Sequence, residues 1–318
     1  MNKYSQLTQQ ERYLIARYRA KRFSQARIAT LLGRSPSTIS RELARNCKAY
    51  DGGYRVEAAQ SYATARRKRS RRGTQFSALH WHHISLMIRQ RWSPEQVSGT
   101  LGIHHDFKIS HETIYRYIRR DMKAGGTLFR FTRGMGKRFR KRYRRPDSRG
   151  VMPGKRHISE RPAEVEGREV LGHWEGDTVI GQDKHACILT LVERKSGLAV
   201  IKKLNARNVS ETNEAAIKAI QEHQNCFQTL TLDNGTEFHG FKTLEAETNV
   251  MCYFATPYHS WERGSNENLN GLIRQYIPKG TCMKKLTQPQ CNEIAYALNS
   301  RPRKRHGFKT PLEIYHAQ

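Results

Sequence analysis

The chain has 318 residues, enough for two or three domains, and carries 57 Lys and Arg against 28 Asp and Glu, a net charge of +29. No apolar run approaches the roughly 18 residues needed to span a bilayer, no charged-then-apolar leader opens the chain, and the six cysteines form no C-x-x-C pair. A membrane span and a disulfide framework are thereby excluded, and a reducing compartment is expected. The charge is segregated. Residues 1–150 hold 35 Lys and Arg against 9 Asp and Glu, a net of +26; residues 151–318 hold 22 against 19, a net of +3. The front half is composed to meet a polyanion and the back half like an ordinary globular domain, so nucleic acid is the expected partner rather than a membrane surface.

Residues 4–46 show three helical periods. Gln9 to Arg22 carries Leu14, Ile15 and Tyr18 on one face, and Ser24 to Leu32 carries Ile28, Leu31 and Leu32. Gly33 turns the chain, Ser35 caps the third helix, and Pro36 takes its first position, where a missing N–H costs nothing. The pattern predicts a helix-turn-helix over 1–50 whose last helix is shaped for a major groove. Its outward residues Ser37, Thr38, Ser40, Arg41 and Arg45, with Arg34 just before them, suit phosphates and base edges.

Residues 51–75 read as a basic linker running to Arg66-Arg67-Lys68-Arg69-Ser70-Arg71-Arg72, helical from Ala58 and able to lie along a phosphate backbone. Residues 76–123 repeat the first theme. Phe76 to Gln90 is a helix, Ser93-Pro94-Glu95-Gln96 is a capping box, Gly102 turns, and Ser110 starts a helix with Ile114, Tyr117 and Ile118 inside. Lys108, Ser110, His111, Thr113, Arg116 and Arg119 form the outward, DNA-facing set of this second helix-turn-helix. The histidines His80, His82, His83, His104 and His105 have no cysteine pair near them, so zinc is not expected. Residues 124–160 are glycine-rich and basic, and are expected to be a flexible linker that orders on DNA. Lys137, Arg138, Arg140 and Lys141 would neutralise phosphates there, while Phe139 and Tyr143 stack or insert.

From Val165 the texture changes to strands. Glu175 to Ile180, Ala186 to Val192 and Leu198 to Leu204 are three strands joined by turns. A helix capped by Ser210, a strand Thr229 to Leu232, a short helix Phe241 to Glu247 and a strand Met251 to Phe254 follow. Helices Ser265 to Tyr276 and Gln288 to Asn299 come next, then the basic run Arg301-Pro302-Arg303-Lys304-Arg305. Three antiparallel strands, helix, strand, helix, strand, helix is a ribonuclease-H-like order. The expected fold is therefore multidomain: all-α helix-turn-helix domains followed by an α/β ribonuclease-H-like core, residues 161–318, with a mixed five-stranded sheet.

Asp177 lies in the first strand, Asp233 ends the fourth, and Glu267 sits on the following helix with Asn270, Gly271 and Arg274 at i+3, i+4 and i+7 on its face. Clustered acids resist ionisation unless they hold a cation, and Mg²⁺ takes oxygen ligands of this kind. Two such ions about 3.5–4 Å apart clamp the attacking and leaving oxygens of a phosphoryl transfer. Asn270 and Arg274 are expected to face DNA. Glu175 shares the strand face of Asp177 and is expected to support the site rather than bind metal. Glu237 lies past the turn and Glu262 precedes the helix.

Three motifs then resemble the insertion-sequence-30 family of transposases. They are Gly172-His173-Trp174-Glu175-Gly176-Asp177, Leu232-Asp233-Asn234-Gly235-Thr236-Glu237-Phe238, and the long Asn266-Glu267-Asn268-Leu269-Asn270-Gly271-Leu272-Ile273-Arg274 with Gln275-Tyr276-Ile277-Pro278-Lys279-Gly280. Between Asp233 and Glu267 lie 33 residues, the spacing of that family. The resemblance covers nearly the whole chain. It implies Asp177, Asp233 and Glu267 as catalytic and metal-binding residues, with two Mg²⁺ ions (Mn²⁺ as substitute). It also implies binding to the inverted repeats of an element, cleavage at its ends, and joining of the 3′-hydroxyl to target DNA. A homo-oligomer, dimer or higher, on double-stranded DNA in the bacterial cytoplasm and nucleoid is expected, with no membrane partner. From the residues alone, a non-catalytic DNA-binding regulator and a metal-dependent nuclease without joining activity stay open.

Overall fold

The computed structural model describes residues 5–47, 53–70, 76–105, 107–135, 153–183, 185–223, 226–257 and 259–317. They divide into two compact units, Met1–Ala78 and Leu79–Gln318. In the first, α1 (Gln9–Ala20) opens on a capping box between Thr8 and Glu11, α2 (Gln25–Leu31) is capped by Ser24, and α3 (Pro36–Asn46) has its proline in the first turn. Ile15, Ile28, Ala29, Ile39 and Leu43 fill the centre. The helix expected from Ala58 within the basic stretch is α4 (Val56–Ser70), which starts two residues earlier and buries Ala59 and Ala63. Small residues at i and i+4 give it one flat face to dock, a signal the surrounding charge hides.

A buried ion pair fastens this unit. Arg12 Nε donates to Glu42 Oε1 at 2.7 Å, and its Nη1 reaches the Leu7 carbonyl and Gln60 Oε1 at 2.9 and 2.7 Å. Tyr54 adds a hydroxyl bond to the same carboxylate at 3.0 Å. One guanidinium thus joins α1, α3 and α4.

The second unit holds both the second helix set and the sheet. α5 (Ala78–Arg89), α6 (Pro94–His104) and α7 (His111–Lys123) pack through Ile84, Ile88, Val97, Leu101, Ile114 and Ile118. Gly102, expected to turn the chain, stays inside α6, and the break comes after His104. Gly102 has open space around it, so its only cost is entropic. Gly99 has a different role: the Phe308 ring lies where its Cβ would stand, 2.1 Å away, so only glycine lets α6 meet the C-terminal loop. Gln96 Nε2 donates to the Pro302 carbonyl at 2.7 Å, and Arg91 stacks over Tyr276 at 4.6 Å. Residues 124–135, at the start of the expected flexible linker, form a 3₁₀ turn at Leu128–Phe131 and end with Arg133 donating to Asn268 at 2.7 Å. Lys137, Arg138, Arg140 and Lys141 lie outside the described residues.

The sheet has six strands rather than five. They are β1 (Arg156–His157), β2 (His173–Ile180), β3 (Cys187–Glu193), β4 (Ala199–Leu204), β5 (Thr229–Leu232) and β6 (Met251–Phe254). The order is β1-β6-β5-β2-β3-β4, with β2, β3 and β4 antiparallel and β2, β5, β6 and β1 parallel. That order and sense make the core ribonuclease-H-like. The extra strand is two polar residues long, so it has no periodicity to announce it. Its pairing with β6 is supported by His157 Nε2 at 3.0 Å from Thr256 Oγ1 and by the Arg156–Glu245 ion pair.

A one-turn α8 (Glu164–Gly167) precedes β2, and longer helices cover both faces of the sheet. α9 (Val209–Glu222), α10 (Phe241–Thr248) and the unforeseen α13 (Pro311–His316) lie on the side of Trp174, Leu189, Leu191 and Leu230. α11 (Gly264–Ile273) and α12 (Gln288–Asn299) lie on the side of Val179, Ile188, Val192 and Ile201. Adjacent residues of one strand point to opposite faces, so β2 sends Glu175, Asp177 and Val179 toward α11.

Replacing Arg12 with Ala strands the Glu42 carboxylate in the first unit. The expected loss is about 3–5 kcal/mol of unfolding free energy for that unit, whereas Arg12→Met with Glu42→Leu should stay near neutral. Thermal and urea unfolding of the full chain measure it, and a loss well under 1 kcal/mol for Arg12→Ala would contradict the role given to this pair.

Candidate active site

Strand register brings the first two acids together. In the parallel pair, Glu175 lies opposite Thr231, and two residues further on each strand stand Asp177 and Asp233. Stepping by two keeps both on the same face. Gly235 completes the turn after β5: its N–H donates to Asp233 Oδ1 at 2.9 Å, and a Cβ there would meet that oxygen at 2.8 Å and Glu237 Oε2 at 2.5 Å.

A guanidinium sits between the two carboxylates. Arg263, at the entrance to α11, places Nη1 3.8 Å from Asp177 Oδ1 and Nη2 3.7 Å from Asp233 Oδ2, and donates to the Gly176 carbonyl at 2.9 Å. Its Nε is buried without a partner among the described residues. Asn270 Nδ2 donates to Asp177 Oδ2 at 2.7 Å, and Thr190 Oγ1 links to Asn266 and Asn270 at 3.1 and 3.2 Å. Burial pushes the Asp177 carboxyl up to about 6, and the charge of Asp233 adds to the rise. Arg263, the Thr178 N–H and Asn270 oppose it.

Glu267 is exposed on α11, with no ion-pair or hydrogen-bond partner among the described residues. No three of His, Cys, Asp and Glu converge closely enough there to hold an ion. The strand acids nevertheless fit a hard cation. Both offer carboxylate oxygens on one face, and a positive group of the protein already occupies the space between them. Asp177 and Asp233 would hold such an ion, and Glu267, on the neighbouring helix, would complete the set.

Behind the acids, Glu175 is fully buried. It pairs with Arg194 and accepts the Asn266 N–H at 2.9 Å, holding the first turn of α11 against the sheet. Glu237 is buried as well, clamped by Arg207 at 2.9 and 2.8 Å and by the Thr178 hydroxyl at 2.5 Å. Glu262 accepts the Thr256 N–H and hydroxyl at 2.7 and 2.9 Å and so closes the loop before α11.

Known proteins are similar to this chain over nearly its whole length. A family described as a helix-turn-helix domain matches residues 3–46. The transposase for insertion sequence element IS4351 of Bacteroides fragilis is 39% identical over 309 residues, covering 97% of this chain and 95% of its own. The transposase InsI for IS30A of Escherichia coli (strain K12) is 38% identical over 320 residues, covering 97% and 82%. The transposase for IS1086 of Cupriavidus metallidurans is 36% identical, covering 98% and 94%. The chain belongs to the insertion-sequence-30 family of transposases. Among solved structures, the catalytic core domain of BIV integrase aligns with 45% of this chain and 92% of its own at 23% identity and a TM-score of 0.36.

As a transposase the chain binds DNA, and the outward residues of its two helix-turn-helix units differ in exposure. Ser37, Ser40, Arg41 and Arg45 are exposed on α3 and Thr38 is half-buried. Arg34 is committed inside the unit, with Nε 2.7 Å from Glu11 Oε1 and Nη1 2.7 Å from Ser5 Oγ. On the second unit Lys108, Ser110, His111, Arg116 and Arg119 are exposed and Thr113 is half-buried. The Ser110 hydroxyl caps α7, and Arg119 pairs with Glu112 at 3.0 Å. Asn270 and Arg274, expected to face DNA, turn inward: Asn270 to Asp177, and Arg274 to the Ile180 carbonyl at 3.1 Å. Arg263, Arg194 and Arg207 had no signal in the sequence, because each meets its partner only across the fold.

The raised Asp177 value has a sign. The folded protein holds this proton more tightly than the unfolded chain, so ionising Asp177 removes stability as pH climbs from near 4 to about 6. Asp177→Asn should therefore stabilise the metal-free transposase at pH 7 by up to about 2–3 kcal/mol, with the gain gone near pH 4. Melting temperatures in chelator at both pH values test this, and equal stability of the two proteins at pH 7 would overturn it.

Proposed function

We propose that this transposase binds the inverted repeats at the ends of its element, cuts there, and joins the freed 3′-hydroxyl to target DNA. Asp177, Asp233 and Glu267 are the proposed ligands of two Mg²⁺ ions, with Mn²⁺ as a substitute. Two such ions would supply Lewis-acid activation of the attacking oxygen and charge stabilisation of the leaving one. Asp177, the more buried of the strand acids, is the residue proposed to be shared between them. Asn270 orients its carboxylate, and Glu175 and Asn266 fix α11. The observation that supports the reading most is the shared register position of Asp177 and Asp233, with α11 and Glu267 beside them.

Recognition is proposed to come from α3 and α7, through Ser37, Ser40, Arg41 and Arg45 in one and His111, Arg116 and Arg119 in the other. Lys137, Arg138, Arg140 and Lys141 are proposed to add affinity without sequence information. The active form on DNA is proposed to be a homo-oligomer.

Alanine at Asp177, Asp233 or Glu267 should abolish cleavage and joining while end binding persists, because these residues would hold metal and not DNA. Normal cutting by purified Glu267→Ala protein would remove Glu267 from the set. Asn270→Ala, which takes a hydrogen bond from a ligand, should cost about 10–100-fold in activity or metal affinity. Strand transfer of a pre-cut end, run beside hydrolysis, distinguishes joining from cutting; release of ends with no joined product would make the chain a nuclease.

Exchanging the exposed residues of α3 or of α7 should alter preference at one part of the end sequence only, at about 1–3 kcal/mol per base contact. Binding-site selection with each variant reads this out, and a uniform loss across all sequences would contradict it.

A further inference from the structure

The basic run Arg301 to Arg305 has no part in the reaction proposed above, and the fold splits it. Arg301 is buried and spent internally: it stacks over Tyr276 at 5.3 Å, bonds its hydroxyl, and donates to Gln275 at 3.1 Å. Arg303, Lys304 and Arg305 instead line a groove with Arg168, along the flank of α11 that carries Ser265 and Asn268.

Three observations mark this groove as made for anions. Among the described residues no carboxylate lies within ion-pair distance of Arg168, Arg303 or Arg305, and Lys304 has only a long contact of 3.5 Å with Glu95. The guanidiniums feel one another. Burial first, then Arg301 and Arg305, pull Arg303 down to about 10, and burial followed by Arg168 lowers Arg305. The Ser265 hydroxyl on the groove wall is buried without a partner. Converging cations without counter-charges are costly unless an anion completes them.

The groove is also placed to be useful. Ser265, Asn268 and Leu272 form a stripe at i, i+3 and i+7 on α11, as do Glu267, Asn270 and Arg274. The two stripes are two residues apart, roughly 200° around the helix. One flank of α11 thus turns to the acids and the opposite flank to the groove, about 10 Å across the helix.

We propose that Arg168, Arg303, Lys304 and Arg305 form a second, sequence-neutral DNA site in the catalytic half of the transposase, which grips backbone phosphodiesters beside α11 while the reacting strand lies on its other flank. The site rests on the transposase reading given above. Its ligand is the phosphate backbone of either the element end or the target duplex.

Full-length wild type and Arg168→Gln/Arg303→Gln/Arg305→Gln proteins are titrated with salt on two substrates. One is an element-end duplex; the other is a plain target duplex offered to protein already loaded with pre-cut ends. The triple variant should flatten the slope of log K against log salt by up to about 3 on one substrate, and that substrate names the source of the phosphates. Preference for end over random sequence should be unchanged. Slopes equal to wild type on both substrates would overturn the proposal. Arg303 also donates to the Leu298 carbonyl, so a second variant keeps the outcome readable should the triple one misfold. Lys304→Cys, at an exposed position and carrying a photo-crosslinker, should attach to the same duplex. No adduct with either duplex, while a Ser37→Cys control crosslinks, would equally overturn the site. Failure of the wild type to prefer ends would instead defeat the parent reading and is seen in the same titration.

Discussion

Two carboxylates on adjacent parallel strands, two residues past a shared register point, are the constraint around which the catalytic half is arranged. Side-chain alternation forces Asp177 and Asp233 onto one face, where burial and the charge of Asp233 oppose the ionisation of Asp177. A counter-charge has to be present. Arg263 supplies it, reaching both acids from the entrance of α11. That position gives α11 its importance: the helix brings the neutralising cation at one end, Asn270 against Asp177 in its middle, and Glu267 on the face beside them. A third carboxylate gains little by approaching two that share one guanidinium.

Placing α11 accounts for the buried charges behind the site. Glu175 is taken entirely out of water to pair with Arg194 and to receive the Asn266 N–H. A buried ion pair of this kind is weak evidence of stability, because desolvation offsets most of the attraction. It does fix geometry: the N–H it accepts lies in the first turn of α11, one residue before Glu267. Glu237 acts in the same manner on the other side, tying Arg207 and the Thr178 hydroxyl to the turn after β5. Each reacting strand end therefore has its own buried carboxylate anchor.

Much of this was legible in the sequence, for identifiable reasons. Strands β2 to β6 announce themselves by alternation or by apolar runs between turn residues, α3 and α6 by a Ser cap followed by Pro, and α7 by its Ser cap. The acids stand out because a strand ending in Asp-Asn-Gly is chemically unusual. What stayed hidden depends on tertiary contact. Two-residue β1 has no period. The docking face of α4 was masked by the surrounding charge, since Ala59 and Ala63 are too small to make a hydrophobic stripe. Gly102 looked like a turn because glycine is permissive, yet an exposed glycine within a helix costs only about 1 kcal/mol. Arg263 and Arg194 could not be told from any other basic residue in a chain with 57 of them. Asn270 and Arg274 were placed on the correct helix, but whether they faced DNA or the sheet depended on a rotation that sequence spacing leaves free.

The uneven charge of the chain acquires a physical sense from these positions. The +26 of the front half raises the local concentration of DNA, but charges separated by more than the Debye length, about 8 Å at physiological salt, barely act on the catalytic acids. The catalytic half, at only +3, receives Arg133 from the front half, set against Asn268 of α11. It needs cations of its own, within a few ångströms of the helix where the reacting strand would lie. Its arginines meet that need in separate places: Arg263 between the acids, Arg274 at the end of β2, and Arg168, Arg303 and Arg305 on the far flank of α11. Near-neutral composition in this half reflects a close balance of opposite local charges, with acids gathered on one side of a single helix and unpaired bases on the other.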